Sequence, residues 1–448
     1  MEKKTIVFYA YMTKRLEELI DFAKYFENDF KILFLIKDDI DRVYLDKTNI
    51  DYVCLHCNNY VKPFSLKLLD NKYIAKFLNS ITHLSIGQYI KEKIYYSLYK
   101  TYSKMSEEIL IKYNIKLVIT LADKNVNPIE IGLLKTANIL NIPIFLPYIA
   151  SWNPEANYQM IENNRNYSLT SSSSLYQKLT FPKYNYQKYK EKYYYQAFLF
   201  NVLSRLKVLS HVPWLNGGGA SDIVAVSNKS SFDYHVNMGI KKDKLKILGY
   251  ISYIPLYDIY KNKITIKNKI ISKYKLSNSK IMIISLSNWW EHNMADAKTH
   301  WQIVSDTIEP LLKYKDKYSI LISLHPSMQL DNYIFLEKKY GVTILEERLM
   351  NILAIADIYV ADFSSTVSWA IICGIKTIII NYFVSLDIYE QYTSILYAKN
   401  KEELSNQIKY LINNDISFEH DWNLLSRDKV FNNNIIQQYT NTFNEIIQ

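Results

Sequence analysis

The sequence predicts an α/β chain of two doubly wound domains that face each other across a cleft. Short apolar runs without alternation, at 320–324, 358–361 and 377–380, are typical of parallel strands buried on both faces. Helical segments separate these runs, as expected for parallel strands joined by crossover helices. The length of 448 residues also exceeds what one hydrophobic core usually serves. We therefore expect two helix-covered parallel sheets.

The first half of the chain alternates between strand and helix patterns. Its apolar, β-rich runs predict five strands, at 5–10, 30–36, 51–55, 116–121 and 143–147. Helical periodicity predicts helices at 14–26, across most of 66–112 and at 130–141. This alternation predicts a first doubly wound domain over 1–245.

The region 150–215 interrupts that alternation with an insertion rich in Tyr and Lys. We expect one helix over 186–209, basic in its first half and apolar in its second. Such a helix could lie in a membrane interface, whereas the alternative is that its apolar stripe packs on the domain. The packing alternative is favoured, because apolar stripes normally face a core.

The second half repeats the alternation and predicts a second doubly wound domain over 246–425. A strand at 223–226 is expected to end the first domain, and a strand at 246–248 lies at the crossing. In the second domain, strands are expected at 281–286 and at the three runs named first, and helices at 300–312 and 402–413. The crossing between domains is expected within 240–265. The segment 426–448 is predicted to be a last helix, either ending this domain or crossing back to the first.

Composition excludes several classes of site and protein. The chain has only 9 Gly, three of them consecutive, which excludes a Walker loop and a G-x-G-x-x-G fingerprint. The net charge of +10 suits an anionic partner, but no basic run interleaved with Gly or aromatic residues indicates nucleic acid. Three cysteines make no disulfide framework, and no apolar run reaches membrane-spanning length. We expect a cytosolic protein, with association at the inner face of the membrane left open.

Polar residues follow the predicted strands of the second domain. His325 follows one strand, and Asp362, Ser364, Ser365 and Thr366 form the turn from another strand into a helix. Ligands of open α/β sheets bind at the carboxyl ends of strands, and a Ser/Thr-rich helix start offers N–H groups and hydroxyls to a phosphate. The alternative is that Ser364 or Ser365 only caps a helix.

Further candidates follow neighbouring strands of this domain. Ser287, Asn288, Glu291 and His292 follow the first strand, where the pair Trp289–Trp290 could stack on a base or fill the core; Glu346 and Arg348 follow another strand, in a loop that could also be solvated.

The second half resembles a known family. It is similar to the CDP-glycerol glycerophosphotransferases of teichoic-acid assembly and related surface-polysaccharide transferases, within the GT-B glycosyltransferase superfamily. The resemblance covers about 315–395 and rests on His325-Pro326, on the run from Ala356 to Ser365, and on the run from Cys373 to Tyr382. The chain departs from that pattern at Lys376, where the family has proline. UDP-N-acetylglucosamine 2-epimerases share the fold, but their Arg/Glu-rich loop has no Arg counterpart here.

The resemblance implies two Rossmann-like domains and a bacterial enzyme that uses a nucleotide-activated donor, CDP/CMP- or UDP-linked, without a cofactor or metal. His325 and the Ser364 turn would hold the donor phosphates. The general base should come from the first domain, where Asp123 is the best candidate because it follows a strand. An Asx-type loop cap is the alternative for Asp123, and His83 and His211 are weaker candidates.

Two short motifs could suggest a metal but are better explained otherwise. Asp39-Ile-Asp41 spells the D-x-D of metal-dependent glycosyltransferases, yet it comes too early in the chain and is expected to be a solvated loop. Cys54-Leu-His-Cys57 lacks a second ligand pair and is better explained by alternating strand residues.

The sequence therefore predicts a glycosyltransferase-like enzyme that moves a sugar or polyol phosphate onto a cell-surface glycan. The acceptor would be a glycan or a lipid-linked glycan, held by the first domain and its insertion. A nucleotide-sugar 2-epimerase or hydrolase is the enzymatic alternative, and a non-catalytic nucleotide- or glycan-binding protein is the other.

Overall fold

The computed structural model describes residues 2–10, 15–57, 63–124, 126–149, 154–286, 288–291, 295–362, 364–382 and 389–447. The chain forms two compact units, Met1–Ile251 with Asn434–Gln448, and Ser252–Asn433. The change of unit falls shortly after the boundary expected at 245, within the predicted crossing region. The end of the chain, expected from 426, joins the first unit from Asn434 onwards.

The first unit contains a seven-stranded sheet whose described pairings are all parallel, in the order β3-β2-β1-β4-β5-β8-β9. Its strands are β1 (Thr5–Tyr9), β2 (Lys31–Ile36), β3 (Asp51–Cys54), β4 (Ile115–Thr120), β5 (Ile144–Leu146), β8 (Ile223–Val226) and β9 (Leu245–Ile247), with a hairpin of β6 (Lys188–Tyr189) and β7 (Lys192–Tyr193) apart from the sheet. The order reverses between β1 and β4, which defines a doubly wound sheet.

Helices accompany this sheet, and the last helix of the chain, Ile435–Ile446, belongs to the same unit. They are α1 (Leu16–Lys24), α2 (Asp39–Leu45), α3 (Phe64–Asp70), α4 (Lys72–Ser80), α5 (Ser85–Lys112), α6 (Pro128–Ile139), α7 (Pro154–Ile161), α8 (Leu175–Thr180), α9 (Ala197–Arg205) and α10 (Lys229–Asn237). All five residues of β1 are buried, which explains why its sequence shows no alternation. Tyr439 and Phe443 of the last helix pack their rings against Phe145 and Phe26, which ties the chain end to this core.

The helix predicted over 186–209 is wrong in its first half. There the chain forms the β6–β7 hairpin, with Lys190 in the left-handed region at its turn, and only Ala197–Arg205 is helical. Tyr193 stacks on Phe181 at a centroid distance of 4.2 Å, so tertiary packing of Tyr rings favours the strand. The apolar stripe of α9, including Phe198 and Val202, is buried in a cluster with Tyr99. Its packing contradicts a membrane-interface role for this helix.

The second unit contains a six-stranded parallel sheet in the order β12-β11-β10-β13-β14-β15. Its strands are β10 (Ile281–Ser285), β11 (Ser319–Ser323), β12 (Thr343–Ile344), β13 (Ile358–Ala361), β14 (Lys376–Ile380) and β15 (Ile395–Ala398). Its helices are α11 (Tyr253–Lys261), α12 (Lys263–Tyr274), α13 (Ala297–Leu312), α14 (Phe335–Tyr340), α15 (Thr366–Ile372), α16 (Lys401–Asn413), α17 (Glu419–Leu424) and α18 (Arg427–Val430). The predicted α/β class, with two doubly wound parallel sheets, is confirmed.

Candidate functional site

The strand order of the second unit brings the ends of β10, β11 and β13 together. β10 lies between β11 and β13, and the order reverses between β10 and β13. Ligands of doubly wound sheets bind in the crevice at such a reversal, on the carboxyl side of the strands. The chain places His325, Asn288 and the Ser364 turn just after these three strands. Ser287, His292 and part of the loop around them lie outside the described residues.

His325 is held by a cluster of donors on one ring nitrogen. The Asn288 side-chain amide lies 3.0 Å from His325 Nδ1 and 3.1 Å from Ser327 Oγ. The Ser327 backbone N–H donates to the same Nδ1 at 3.2 Å, and the Ser327 hydroxyl lies 2.8 Å from it. Because Nδ1 accepts these bonds, the proton of a neutral His325 ring sits on Nε2. His325 therefore presents an N–H donor from an exposed position at the strand end.

The turn after β13 is organised by hydroxyl groups. The Thr366 backbone N–H and hydroxyl donate to Ser364 Oγ at 3.3 and 2.8 Å, and the Tyr359 hydroxyl lies 2.6 Å from Thr366 Oγ1. The Tyr389 hydroxyl donates to the Ser364 carbonyl oxygen at 2.8 Å. Ser365, at the N-cap of α15, makes no side-chain capping bond and is exposed. The turn is thus braced from within by Ser364, Thr366 and two tyrosines, while Ser365 faces solvent beside the half-buried Asp362.

Glu291 belongs to a buried network that the sequence did not reveal. The Tyr333 hydroxyl donates to Glu291 Oε1 at 2.6 Å and lies 2.9 Å from His300 Nε2. Tyr333 and His300 are almost fully buried. Burial lowers the pKa of His300, an effect that the Glu291 carboxylate opposes. A neutral His300 donates from Nε2 to the Tyr333 oxygen, so the network anchors the loop that carries Asn288.

Glu346 and Arg348 follow β12, the edge strand, two strands away from β10. Lys273 of α12 lies 2.8 Å from Glu346 and 2.6 Å from Glu347, whose carboxylate also accepts from Tyr274. These hydrogen bonds raise the pKa of Lys273. This loop is therefore an ion-paired surface of the second unit. No described contact brings Glu346 or Arg348, the two residues predicted to bind the nucleotide donor, together with His325.

Asp123 lies at the end of β4, but its carboxylate points into the protein. It is 1% exposed and accepts from the backbone N–H groups of Gly217, Gly219 and Ser221 at 3.0, 3.0 and 3.4 Å, and from the Ser221 hydroxyl at 2.6 Å. The carboxylate therefore binds a loop that is distant in sequence, and not the adjacent backbone as in the Asx-type cap that was the alternative. A catalytic role for Asp123 stays a prediction, and His83 and His211 are exposed side chains of the same unit.

The first unit has its own strand-order reversal, between β1 and β4. There the Tyr9 hydroxyl donates to Asn127 at 3.1 Å, and the Thr120 hydroxyl donates to the fully buried Glu130 at 2.7 Å. Burial and the nearby Glu130 carboxylate raise the pKa of Tyr9. These contacts could not be predicted from the sequence, because the residues come from separate segments of the chain.

The two metal-like motifs meet in the structure. Asp39 begins α2, and Asp41 is buried and accepts from the Lys37 N–H, so the predicted solvated loop is wrong. Cys54 and Cys57 form a disulfide, which the sequence did not predict, with Asp39 beside Cys57. Ligand atoms of Asp39, Cys54 and Cys57 lie within 4.8 Å of one another. In this form both sulfurs are committed to each other and do not ligate a metal as thiolates.

Among the described residues, no helix is both long and apolar enough to span a bilayer.

Comparison with known structures identifies the type of fold. No family model and no curated protein sequence matches the chain. UDP-GlcNAc 2-epimerase from Neisseria meningitidis, solved with UDP-GlcNAc, is 12% identical over 99% of this chain and 100% of that one, with a TM-score of 0.56. The epimerase from Methanocaldococcus jannaschii is 11% identical over 98% and 99%, with a TM-score of 0.55. A glycosyltransferase from Rickettsia africae is 13% identical over the whole of both chains, with a TM-score of 0.49. At these identities the likeness to the two epimerases shows the fold alone, two Rossmann-like domains of the GT-B type.

Proposed function

We propose that the chain is a glycosyltransferase-like enzyme that binds a nucleotide-activated donor on its second unit and transfers a sugar or polyol phosphate to a cell-surface glycan. The observation that carries the proposal is the His325 cluster. At the end of β11, beside the reversal of strand order, Asn288 and Ser327 hold His325 Nδ1 so that the opposite nitrogen carries the ring proton. An N–H group oriented in this way can donate a hydrogen bond to an oxygen of a diphosphate.

Transfer from such a donor builds negative charge on the departing phosphate. Preorganised N–H donors at that position stabilise the charge with little reorganisation, which is commonly the largest catalytic contribution. The Ser365 hydroxyl at the start of α15 is the second group that would reach this phosphate. The hydroxyls of Ser364 and Thr366, which bond to each other, would hold the turn in shape.

The enzymatic alternative, a nucleotide-sugar 2-epimerase or hydrolase, uses the same donor site. It differs in its product, because it changes or releases the sugar of the donor without an acceptor. Incubation with UDP-GlcNAc alone separates the two: 2-epimerised sugar or free UDP supports the alternative, and unchanged donor that is consumed only when glycan is added supports transfer.

Nucleotide binding is tested first, by thermal unfolding with CDP, CMP, UDP, GDP and their sugar or glycerol conjugates. A nucleotide at about 100 times its dissociation constant should stabilise the protein by about 2.7 kcal/mol. The His325→Ala variant should lose most of this shift. His420→Ala removes another exposed histidine of the same unit and should keep it. The absence of a shift with every nucleotide would overturn the proposal.

A further inference from the structure

Helices α3, α4 and the start of α5 in the first unit expose large aromatic side chains. Phe64, Tyr73 and Phe77 are 75%, 84% and 60% exposed. Ile86 and Tyr89, on the first turns of α5, are also exposed. Single exposed apolar residues are normal on a protein surface, but a contiguous group of them marks a contact surface.

The exposed residues of α4 repeat with the period of one helical turn. Lys72-Tyr73 is followed four residues later by Lys76-Phe77, so the two Lys–aromatic pairs stack on the same side of the helix. The opposite side packs inward through Leu78, which is buried. The side of the helix that carries Leu78 therefore packs on the protein, and the side that carries the aromatic rings is exposed.

The start of α5 exposes a second apolar and basic group. Ile86, Tyr89 and Lys93 are spaced at three and four residues, and Lys93 Nζ lies 5.0 Å from the centre of the Tyr89 ring. Lys93 and Phe64 line a shared open groove of about 350 Å³, which joins α3 to α5. We call the exposed side chains of Phe64, Tyr73, Phe77, Ile86 and Tyr89, with the lysines among them, the basic aromatic surface.

The charge of this surface has one sign almost throughout. Between 63 and 101 the exposed charged side chains comprise five lysines against the single acid Asp70: Lys67, Lys72, Lys76, Lys93 and Lys100. The other acid of the segment, Glu92, is buried and pairs with Arg205 at 2.9 Å. The exposed lysines of this segment therefore outnumber its exposed acids by five to one.

We propose that the basic aromatic surface binds the surface of an anionic lipid bilayer. Burial of aromatic rings at the depth of the headgroups lowers the free energy of the bound state. Long lysine side chains reach the lipid phosphates while their stems cover apolar surface. A soluble polyanion would satisfy the lysines but would leave the rings in water, so the combination favours a bilayer. The inference concerns binding alone and does not depend on transfer of a sugar, although a bilayer is where a lipid-linked acceptor would be met.

The test is co-sedimentation of the full chain with phosphatidylcholine vesicles, with and without phosphatidylglycerol. Binding should need phosphatidylglycerol and should weaken with added salt. The fourfold variant Lys72→Glu, Tyr73→Ser, Lys76→Glu and Phe77→Ser should lower the partition coefficient on the order of 100-fold. Glu at the first position of α4 suits the helix dipole, and a circular dichroism spectrum like that of the wild type would show that lost binding does not reflect a lost helix.

A matched control is available in the second unit, where α16 exposes the same dipeptide, Lys409-Tyr410. The double variant Lys72→Glu with Tyr73→Ser should weaken binding, and Lys409→Glu with Tyr410→Ser should not. Failure of the wild type to bind anionic vesicles, full binding by the fourfold variant, or equal loss in the control would each overturn the inference. So would binding of soluble polyphosphate that is as tight as binding of vesicles. Because no donor is present, either outcome leaves the proposed function untouched.

Discussion

The two sheets have the same topology, yet the polar residues that follow their strands differ in burial and in hydrogen bonding. In both, the order runs outward from a central pair, β1 and β4 in the first unit and β10 and β13 in the second. In the first unit the carboxylate of Asp123 is buried and bonded to a loop. In the second unit His325 is exposed, and the side-chain amide of Asn288 lies 3.0 Å from its Nδ1. A polar residue at a strand end is therefore a candidate for a site only where no other segment covers it.

The covering segment in the first unit is the glycine-rich loop before β8. Gly217 has a φ of 94°, in the region that favours glycine. A Cβ on Gly219 would lie 2.0 Å from the Asp123 carbonyl oxygen, so only glycine allows this approach. The three consecutive glycines thus let the backbone wrap around a carboxylate of the protein.

The largest expected effect is on stability and comes from Asp123. The Asp123→Ala variant leaves the N–H groups of Gly217 and Gly219 without their acceptor. It also removes the carboxylate that raises the pKa of Lys124 against the lowering caused by burial. We expect the free energy of unfolding to fall by about 3 kcal/mol or more, measured with urea. Asp123→Asn keeps one acceptor oxygen and should cost less.

The outcome for Asp123→Asn also separates the two roles of this residue. Wild-type stability with activity reduced by orders of magnitude would identify a general base, and reduced stability with retained turnover would identify the loop anchor.

The next effect is on activity and comes from His325. His325→Ala should lower turnover of the proposed reaction by about 100-fold, as for loss of one preorganised donor. Its stability should change by no more than about 0.5 kcal/mol, because the side chain is exposed. His420→Ala is the matched control, and wild-type turnover in a folded His325→Ala variant would remove His325 from the site.

The smallest expected effect is a pH dependence of the free energy of unfolding, which comes from the buried His300. The pKa of His300 is lowered in the folded protein by burial, so below about pH 6.5 the unfolded chain binds a proton that the folded chain excludes. Stability from this residue is present above that pH and falls as the pH drops, by up to about 1.4 kcal/mol per pH unit. The His300→Gln variant should show a shallower decline in urea titrations from pH 7 to 5.

His235 offers the comparison within the first unit, because burial lowers the pKa of this histidine too. His235→Gln should remove its own share of the acid-induced loss and leave that of His300. Identical slopes for the wild type and His300→Gln would contradict a lowered pKa at His300.

Much of the fold could be predicted from sequence, because buried parallel strands leave a local signal. The run predicted at 358–361 is β13 as observed, the run at 320–324 is shifted by one residue from β11, and the run at 377–380 misses only the first residue of β14. The hairpin of β6 and β7 could not be predicted, because a Lys/Tyr-rich segment is compatible with helix and strand. The stacking of Tyr193 on Phe181, from a different part of the chain, decides between them.

The sequence by itself determined two doubly wound sheets and the polar residues His325, Ser364 and Ser365 after two of their strands. Only the tertiary structure decided which strand ends stay open. It turned Asp123 inward through a loop that follows it in the chain by almost a hundred residues, and it joined Glu291 to Tyr333 and His300. The physical reason is that strand formation depends on local apolar pattern, whereas burial and hydrogen-bond partners depend on segments brought together by folding.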